Sequence, residues 1–228
     1  MRIGVIVAMD KELDILLTTL INEHGQVDTM FNGNVYIGEV QGHTIFVTKS
    51  GIGKVNSSMV TSHLINTYKP DLVINSGVAG SLDVSMNIGD VLVAENVCYH
   101  DVWCGPGTKY GEADGCPVYF KGDETCLNLL RDIQDKKIKF GLLCSGDKFI
   151  IYPDDVDVIK SFFPNALGCD MESASIAQTC FKHNVSYLCV RVMSDRPGSG
   201  ENISEYNNFW ENAPKQTFSV VRELIEKL

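Results

Sequence analysis

Three acids, each following a strand-like run, are the residues best placed to do chemistry. Tyr187-Leu-Cys-Val-Arg-Val-Met193 empties into Ser194-Asp195. A carboxylic acid at the exit of a buried strand stands where open α/β sheets hold their ligands, and there it can lend a proton to a leaving group. Cys169-Asp-Met-Glu172 opens a small-residue helix, Ser173-Ala-Ser-Ile-Ala-Gln178, so Asp170 and Glu172 form a second acidic pair facing the same crevice. Glu12 follows the first strand. No cluster of lysine or arginine accompanies them, which suits a polar organic ligand rather than phosphate or nucleic acid. Each acid also has a plain structural explanation: Glu12 in a first helical turn complements the helix dipole, and Asp195 and Glu172 can serve as caps. Their shared position at strand exits, which a parallel topology gathers at one sheet edge, is what favours a site.

The elements that must position these acids are legible in the apolar pattern. Val- and Ile-rich runs occur at Ile3 to Met9, Thr44 to Thr48, Asp71 to Val78, Asp90 to Val97, Lys139 to Cys144 and Tyr187 to Met193. Their near-continuous hydrophobicity predicts strands buried on both faces. Helical spacing covers Lys11 to Asn22, Val55 to Tyr68, Glu124 to Lys136, Met171 to Asn184 and Glu205 to Lys227. The alternation predicts an α/β fold with a mixed central sheet flanked by helices. Turn signals at Asn32-Gly33-Asn34 and Gln41-Gly42 predict antiparallel hairpins over residues 27 to 48. A glycine-rich excursion around Gly105-Pro-Gly-Thr108 and Gly115 predicts a long functional or interfacial loop.

Bulk properties narrow the function. The 228 residues, 44% hydrophobic, suffice for one substantial core, so residues 1–228 are expected to form a single domain. Acids outnumber bases 29 to 19 for a net charge of -10, a field that repels nucleic acid and anionic lipid. No apolar stretch approaches the roughly 20 residues that span a bilayer, and Met1 to Ala8 is interrupted too soon by Asp10 and Lys11 for a signal peptide. A cytoplasmic protein is expected. The 8 cysteines are scattered without a Cys-x-x-Cys pair, as buried free thiols are. Cys98, His100 and Cys104 lie close together but lack a fourth ligand at zinc-site spacing, so no metal is expected.

Two glycine-bearing motifs read in more than one way. Ser50-Gly-Ile-Gly-Lys54 sits between a strand and a helix like a phosphate loop, yet Val55 follows the lysine where a Walker loop needs Ser or Thr. The alternatives are a tight turn or the placing of Ile52 beside a ligand. Asn75-Ser-Gly-Val-Ala-Gly80 allows either a ligand or a helix to approach the backbone closely. Phe149, in Ser145-Gly-Asp-Lys-Phe-Ile150, is a stacking platform or a core residue.

Taken together, Ile3 to Met9 with Glu12, Ser50 to Lys54, Asn75 to Gly80, Tyr99-His-Asp101, Ser145 to Ile150, Met171-Glu172 and Ser194-Asp195 resemble the 5'-methylthioadenosine/S-adenosylhomocysteine nucleosidases of the nucleoside phosphorylase superfamily. The resemblance spans nearly the whole chain in order. It implies a nucleoside phosphorylase-like fold and a homodimeric hydrolase, free of metal and cofactor, acting on a small-molecule nucleoside with its sites near the interface. By position, Asp195 is the implied general acid at adenine N7 and Glu12 the group that activates water. Glu172, with Met171 beneath the sugar, is the implied ribose-hydroxyl ligand; Phe149 stacks on adenine, Ile150 offers its backbone to the adenine edge, and Ser194 holds Asp195. Met9, Ile52, Val78 and Tyr206 complete the implied substrate wall, Tyr206 on the 5' side. The chain departs from the family pattern at Val78, where a small hydroxyl residue is common, at Trp103-Cys-Gly-Pro-Gly107, and in the glycine-rich Arg196-Pro-Gly-Ser-Gly200.

The chemistry has its own logic. N-glycosidic cleavage passes through a cationic, oxocarbenium-like sugar, so carboxylates below it stabilise charge while an acid above the base receives the departing electrons. A purine nucleoside phosphorylase would need arginines around an anion site; Met9 to Leu20 has none, Arg191 lies within a strand and Arg196 is isolated. A nucleosidase for another 5'-modified adenosine, such as aminofutalosine, and a nucleoside-binding protein without catalysis are the other readings; retention of all three acids argues against the last.

Overall fold

The computed structural model describes residues 1–21, 25–31, 33–133, 135–212 and 218–228. Ile3, Val5 and Val7 of β1 (Arg2–Val7) pack on one face with Leu13, Leu16 and Leu20 of α1 (Asp10–Leu20) and with Val221, Leu224 and Ile225 of α7 (Ser219–Lys227). Ile6, one residue out of phase, packs on the other face with Val60 and Leu64 of α2 (Lys54–Tyr68). The unbroken apolar run is thus a strand covered on both sides, as its composition predicts. Gly4 is required by that closeness, since a Cβ there would come 2.6 Å from Leu64 Cδ2.

The strand order explains how distant exits meet. From β5 (Leu72–Ser81) the sheet runs outward through β1 and β4 (His43–Lys49), all parallel, and continues antiparallel through β3 (Gly33–Val40) and β2 (Gln26–Met30). On its other side, β5 is parallel to β10 (Ser186–Asp195), and β10 is antiparallel to β6 (Val91–Tyr99). β6 is parallel to β8 (Ile138–Ser145) and β8 to β9 (Ala166–Asp170); β9 returns to cross β5 antiparallel at Gly80↔Cys169 and Ser81↔Gly168. The five strands β5, β10, β6, β8 and β9 therefore close on themselves. This corrects the expectation of a single parallel edge. β9 runs against β5, and the two meet by curling, which brings the ends of β9, β5 and β10 together.

Further differences concern elements with weak local signals. Neither β9 nor α4 (Pro153–Phe162) is apparent in the apolar pattern. The expected helix over Glu205 to Lys227 is two helices, α6 (Asn202–Asn212) and α7, with 213–217 outside the described residues. Residues 22 and 32, the end of the first expected helix and one position of the first hairpin turn, also lie outside them. β7 (Phe120–Lys121), α3 (Glu124–Arg131) and α5 (Ser173–His183) complete the order. Among the described residues no helix is long and apolar enough to cross a membrane.

Candidate active site

All eleven residues singled out by sequence line one cleft of about 590 Å³, open mouth included. That volume is of the size that holds a nucleoside. Its floor is the exits of β1, β5, β9 and β10, and its rim the loops that follow β4 and β8.

Glu12 is buried in the first turn of α1 and accepts three backbone hydrogen bonds, from Ala8 N at 2.8 Å, Met9 N at 3.0 Å and Val78 N at 2.9 Å. One carboxylate thus both caps α1 and lines the cleft. Burial raises its pKa, against the Arg191 charge and the three amides. Val78 contributes its amide, so its lack of a hydroxyl does not affect this contact. Gly77 makes the approach possible, because a Cβ there would lie 2.6 Å from Glu12 Oε1 and would collide with the Arg191 guanidinium.

Glu172 is the N-cap residue of α5, but its side chain makes no cap bond and is free to enter the cleft. Asp170 takes the capping role, accepting from Ser173 N at 3.2 Å and from the Ser173 hydroxyl. Glu172 Oε1 accepts from Gly53 N at 2.9 Å. Burial, then the Asp170 charge, pushes its pKa up to about 7, with Arg191 and the Gly53 amide opposing. Asp195 is 2% exposed and accepts from Ser194 Oγ at 2.6 Å. Burial carries its pKa up to about 6, Glu205 adding to the rise and the Ser194 and Asn202 bonds restraining it.

The aromatic wall is built from two elements. Phe149, 42% exposed, meets Tyr206 of α6 edge-on at 5.7 Å, and the Tyr206 hydroxyl donates to Met9 Sδ at 3.3 Å. Phe149 is therefore not a core residue. Ile150 is buried, its carbonyl accepting from Asn202 Nδ2 at 3.3 Å. Ile52 is half exposed on the rim, and Met171 lies between Asp170 and Glu172 on the cleft wall.

Sequence reasoning missed the network beneath the acids. Arg191 is fully buried, pairs with Asp170 at 2.5 Å, and donates to Asn75 Oδ1 at 2.6 Å and Ser173 Oγ at 3.1 Å. A charged residue inside a buried strand run has to find a buried counter-ion, and that signal was available. The phosphate-loop reading of Ser50 to Lys54 does not survive: Lys54 Nζ pairs with Asp101 at 2.8 Å, and Gly51 and Gly53 take positive φ of 85° and 94° in a tight turn. Cys98 is buried against Cys144 and Cys104 is exposed; among the described residues no group of His, Cys, Asp and Glu is arranged to hold a metal ion.

A cleft of raised carboxylates at the exits of a curled mixed sheet defines a class, and the Phosphorylase superfamily model matches residues 2–226, so the chain belongs to that superfamily. The 5'-methylthioadenosine/S-adenosylhomocysteine nucleosidase of Staphylococcus aureus (strain MRSA252) is 38% identical over 99% of this chain and 100% of its own. An S-adenosylhomocysteine nucleosidase from Streptococcus pyogenes in complex with 5-methylthiotubericidin superposes with TM-score 0.93 at 31% identity, covering 100% of this chain and 97% of that one. The nucleosidase from S. pneumoniae with the transition-state inhibitor MT-ImmA gives TM-score 0.93 at 32% identity and 99% coverage of both. Within the superfamily, the chain belongs to the 5'-methylthioadenosine/S-adenosylhomocysteine nucleosidases, enzymes that cleave N-glycosidic bonds.

Proposed function

We propose that residues 1–228 act as a single nucleosidase domain that hydrolyses 5'-methylthioadenosine and S-adenosylhomocysteine to adenine and the corresponding thioribose. The observation that carries this reading is the convergence of Glu12, Glu172 and Asp195, buried and with raised pKa values, on one nucleoside-sized cleft. As the C1'–N9 bond breaks, its electrons enter the purine and Asp195 gives its proton to N7. Glu12 takes a proton from the water whose oxygen bonds to C1', and Glu172 holds the ribose hydroxyls while its charge, with that of Glu12, stabilises the cationic sugar. Ser194 fixes Asp195 toward the base. Phe149 lies on the adenine face and Ile150 meets its edge through the backbone. Met171 supports the sugar from below, and Met9, Ile52, Val78 and Tyr206 enclose the rest, Tyr206 on the 5' side.

Hydrolysis rather than phosphorolysis is supported by the cations at the cleft. Lys148 pairs with Asp155 at 2.6 Å and Arg191 is committed to Asp170, which leaves no unpaired cation among the described lining residues to hold a phosphate. Two further features belong to this proposal. Ile52, just before α2, and Val55 and Met59 within it are all more than half exposed and form an apolar stripe beside the cleft that suits a homodimer. Of the 8 cysteines all but Cys104 are buried and none forms a Cys-x-x-Cys pair, a usage that suits a reducing compartment such as the cytoplasm. The deciding measurement is release of free adenine from methylthioadenosine in phosphate-free buffer. Strict dependence on phosphate would make the protein a phosphorylase, and binding without release a nucleoside carrier.

A further inference from the structure

Tyr99-His-Asp101 and the lysine of Ser50 to Lys54 have no part in the cleavage chemistry above, and neither Asp101 nor Lys54 lines the cleft. Yet they meet. Strands β6 and β8 are parallel and in register up to Tyr99↔Ser145, so the residues that leave them emerge side by side. Asp101 Oδ2 accepts from Asp147 N at 2.8 Å and from Lys54 Nζ at 2.8 Å, while Asp147 Oδ1 accepts from Lys54 N at 2.8 Å. Three loops are thus tied by three bonds, two to the Asp101 carboxylate and one to that of Asp147. Gly146 permits the approach: a Cβ there would lie 2.7 Å from the Asp101 carboxyl carbon and 2.5 Å from the His100 ring. The Lys54 ammonium also sits 5.4 Å over the Tyr99 ring, and its pair with Asp101 is three-quarters shielded from solvent.

The two loops so joined both serve the cleft. Gly53, one residue before Lys54, donates its N–H to Glu172; Phe149 and Ile150, two and three residues after Asp147, belong to the cleft wall. We propose that Asp101 is a positioning residue for nucleoside cleavage, locking the loop that serves Glu172 to the loop that carries Phe149 and Ile150, so that the sugar and base ends are held at one spacing. The inference rests on the nucleosidase reading.

The lock makes a prediction that general stability does not. If Asp101 lets go, the Gly53 amide no longer bonds Glu172 steadily, and the charged form of Glu172 loses a donor that favours it. The other charges facing Glu172, namely Asp170, Arg191 and Glu12, lie outside the lock, whereas Lys54, His100 and Asp147 are the groups that face Asp101. The maximum of the kcat/KM profile then moves to higher pH. The experiment compares wild type, Asp101→Ala, Asp101→Asn, Lys54→Met and the Asp101→Ala/Lys54→Met pair for adenine release from methylthioadenosine across pH. Asp101→Ala is expected to lose about 10- to 100-fold in kcat/KM, mostly through KM, with the profile maximum moved to higher pH. Lys54→Met is expected to move both in the same direction by less, the double variant to match Asp101→Ala, and Asp101→Asn, which keeps an acceptor, to recover part of the loss. A folded Asp101→Ala with unmoved KM and profile maximum overturns the proposal. Should that variant not fold, Lys54→Met decides alone by the same two readings. A wild type that releases no adenine overturns the nucleosidase reading and this proposal with it, whereas an active wild type beside an unaffected Asp101→Ala overturns the proposal only.

Discussion

Each acid of the cleft is expected to work in one protonation state, and the directions of their shifts fix a pH dependence. Asp195 must hold its proton to give it to the base, so its competent form is lost as pH rises through about 6. Glu172 must be charged to hold and stabilise the sugar, so its competent form is lost as pH drops through about 7. The profile of kcat/KM in the free enzyme is therefore a bell with its maximum between those values. Asp195→Asn should lose about 10²- to 10⁴-fold and its residual activity should no longer fall on the alkaline side; Glu12→Gln should lose a similar factor. Steady-state rates across pH test this, and an alkaline limb retained in Asp195→Asn would remove Asp195 from the acid's role. The same shifts bear on stability. Glu172 binds its proton more tightly folded than its ordinary 4.5, so its ionisation opposes folding increasingly as pH rises from 4.5 through about 7 and fully above. Glu172→Gln, which keeps an acceptor for Gly53 but no charge, should be more stable than wild type by on the order of 1 to 3 kcal/mol at about pH 8 and equal to it near pH 4.5. Thermal melting at the two pH values measures it. Glu12 and Asp195 were legible in the sequence because each follows an apolar run, and Glu172 because it opens a small-residue helix. The Arg191 network was not, because Asp170, Asn75 and Ser173 come from three separate elements and only the folded sheet brings them to one guanidinium.

At the scale of elements, the site depends on strands and helices approaching more closely than ordinary side chains allow. At Gly77 the missing side chain leaves room for Glu12 and Arg191 together. Gly77→Ala should displace one of them, breaking the Val78 amide contact or the Asp170 pair, and cost about 2 to 4 kcal/mol of stability along with most of the turnover. Urea denaturation and adenine release would show both; a variant with wild-type turnover would mean that Glu12 is not held where its bonds put it. The glycine run Asn75 to Gly80 was visible as a place of close approach, but whether helix or ligand came close was open, and a carboxylate and a guanidinium from other elements are the answer. The hairpins of β2, β3 and β4 followed from turn residues and local alternation. β9 did not, for its five residues include Gly168 and every pairing it makes is with a strand distant in sequence. Helix α4 was hidden by Pro153 and two aspartates, which read as a loop although proline and acids are favoured in a first helical turn.

At the scale of the whole molecule, the proposed homodimer must form against charge. Each chain carries a net charge of -10, so two copies repel, and an apolar face has to outweigh that repulsion. The stripe of Ile52, Val55 and Met59 is suited to it, flanking a groove between α2 and α5 that also includes Thr179 and His183. Burying a valine or methionine side chain contributes about 1.5 to 3 kcal/mol, and in a two-fold assembly every substitution counts twice. Val55→Asp with Met59→Lys should therefore reduce the sedimenting species from twice the 25.2 kDa chain mass to the chain mass itself. Added salt should strengthen the wild-type dimer by screening the repulsion. Ile52 belongs to both the stripe and the cleft wall, so dissociation should also raise KM for methylthioadenosine while the fold persists. A wild type that sediments as a monomer at micromolar concentration, with full activity, would show that the cleft needs no second copy and that the exposed stripe has another use.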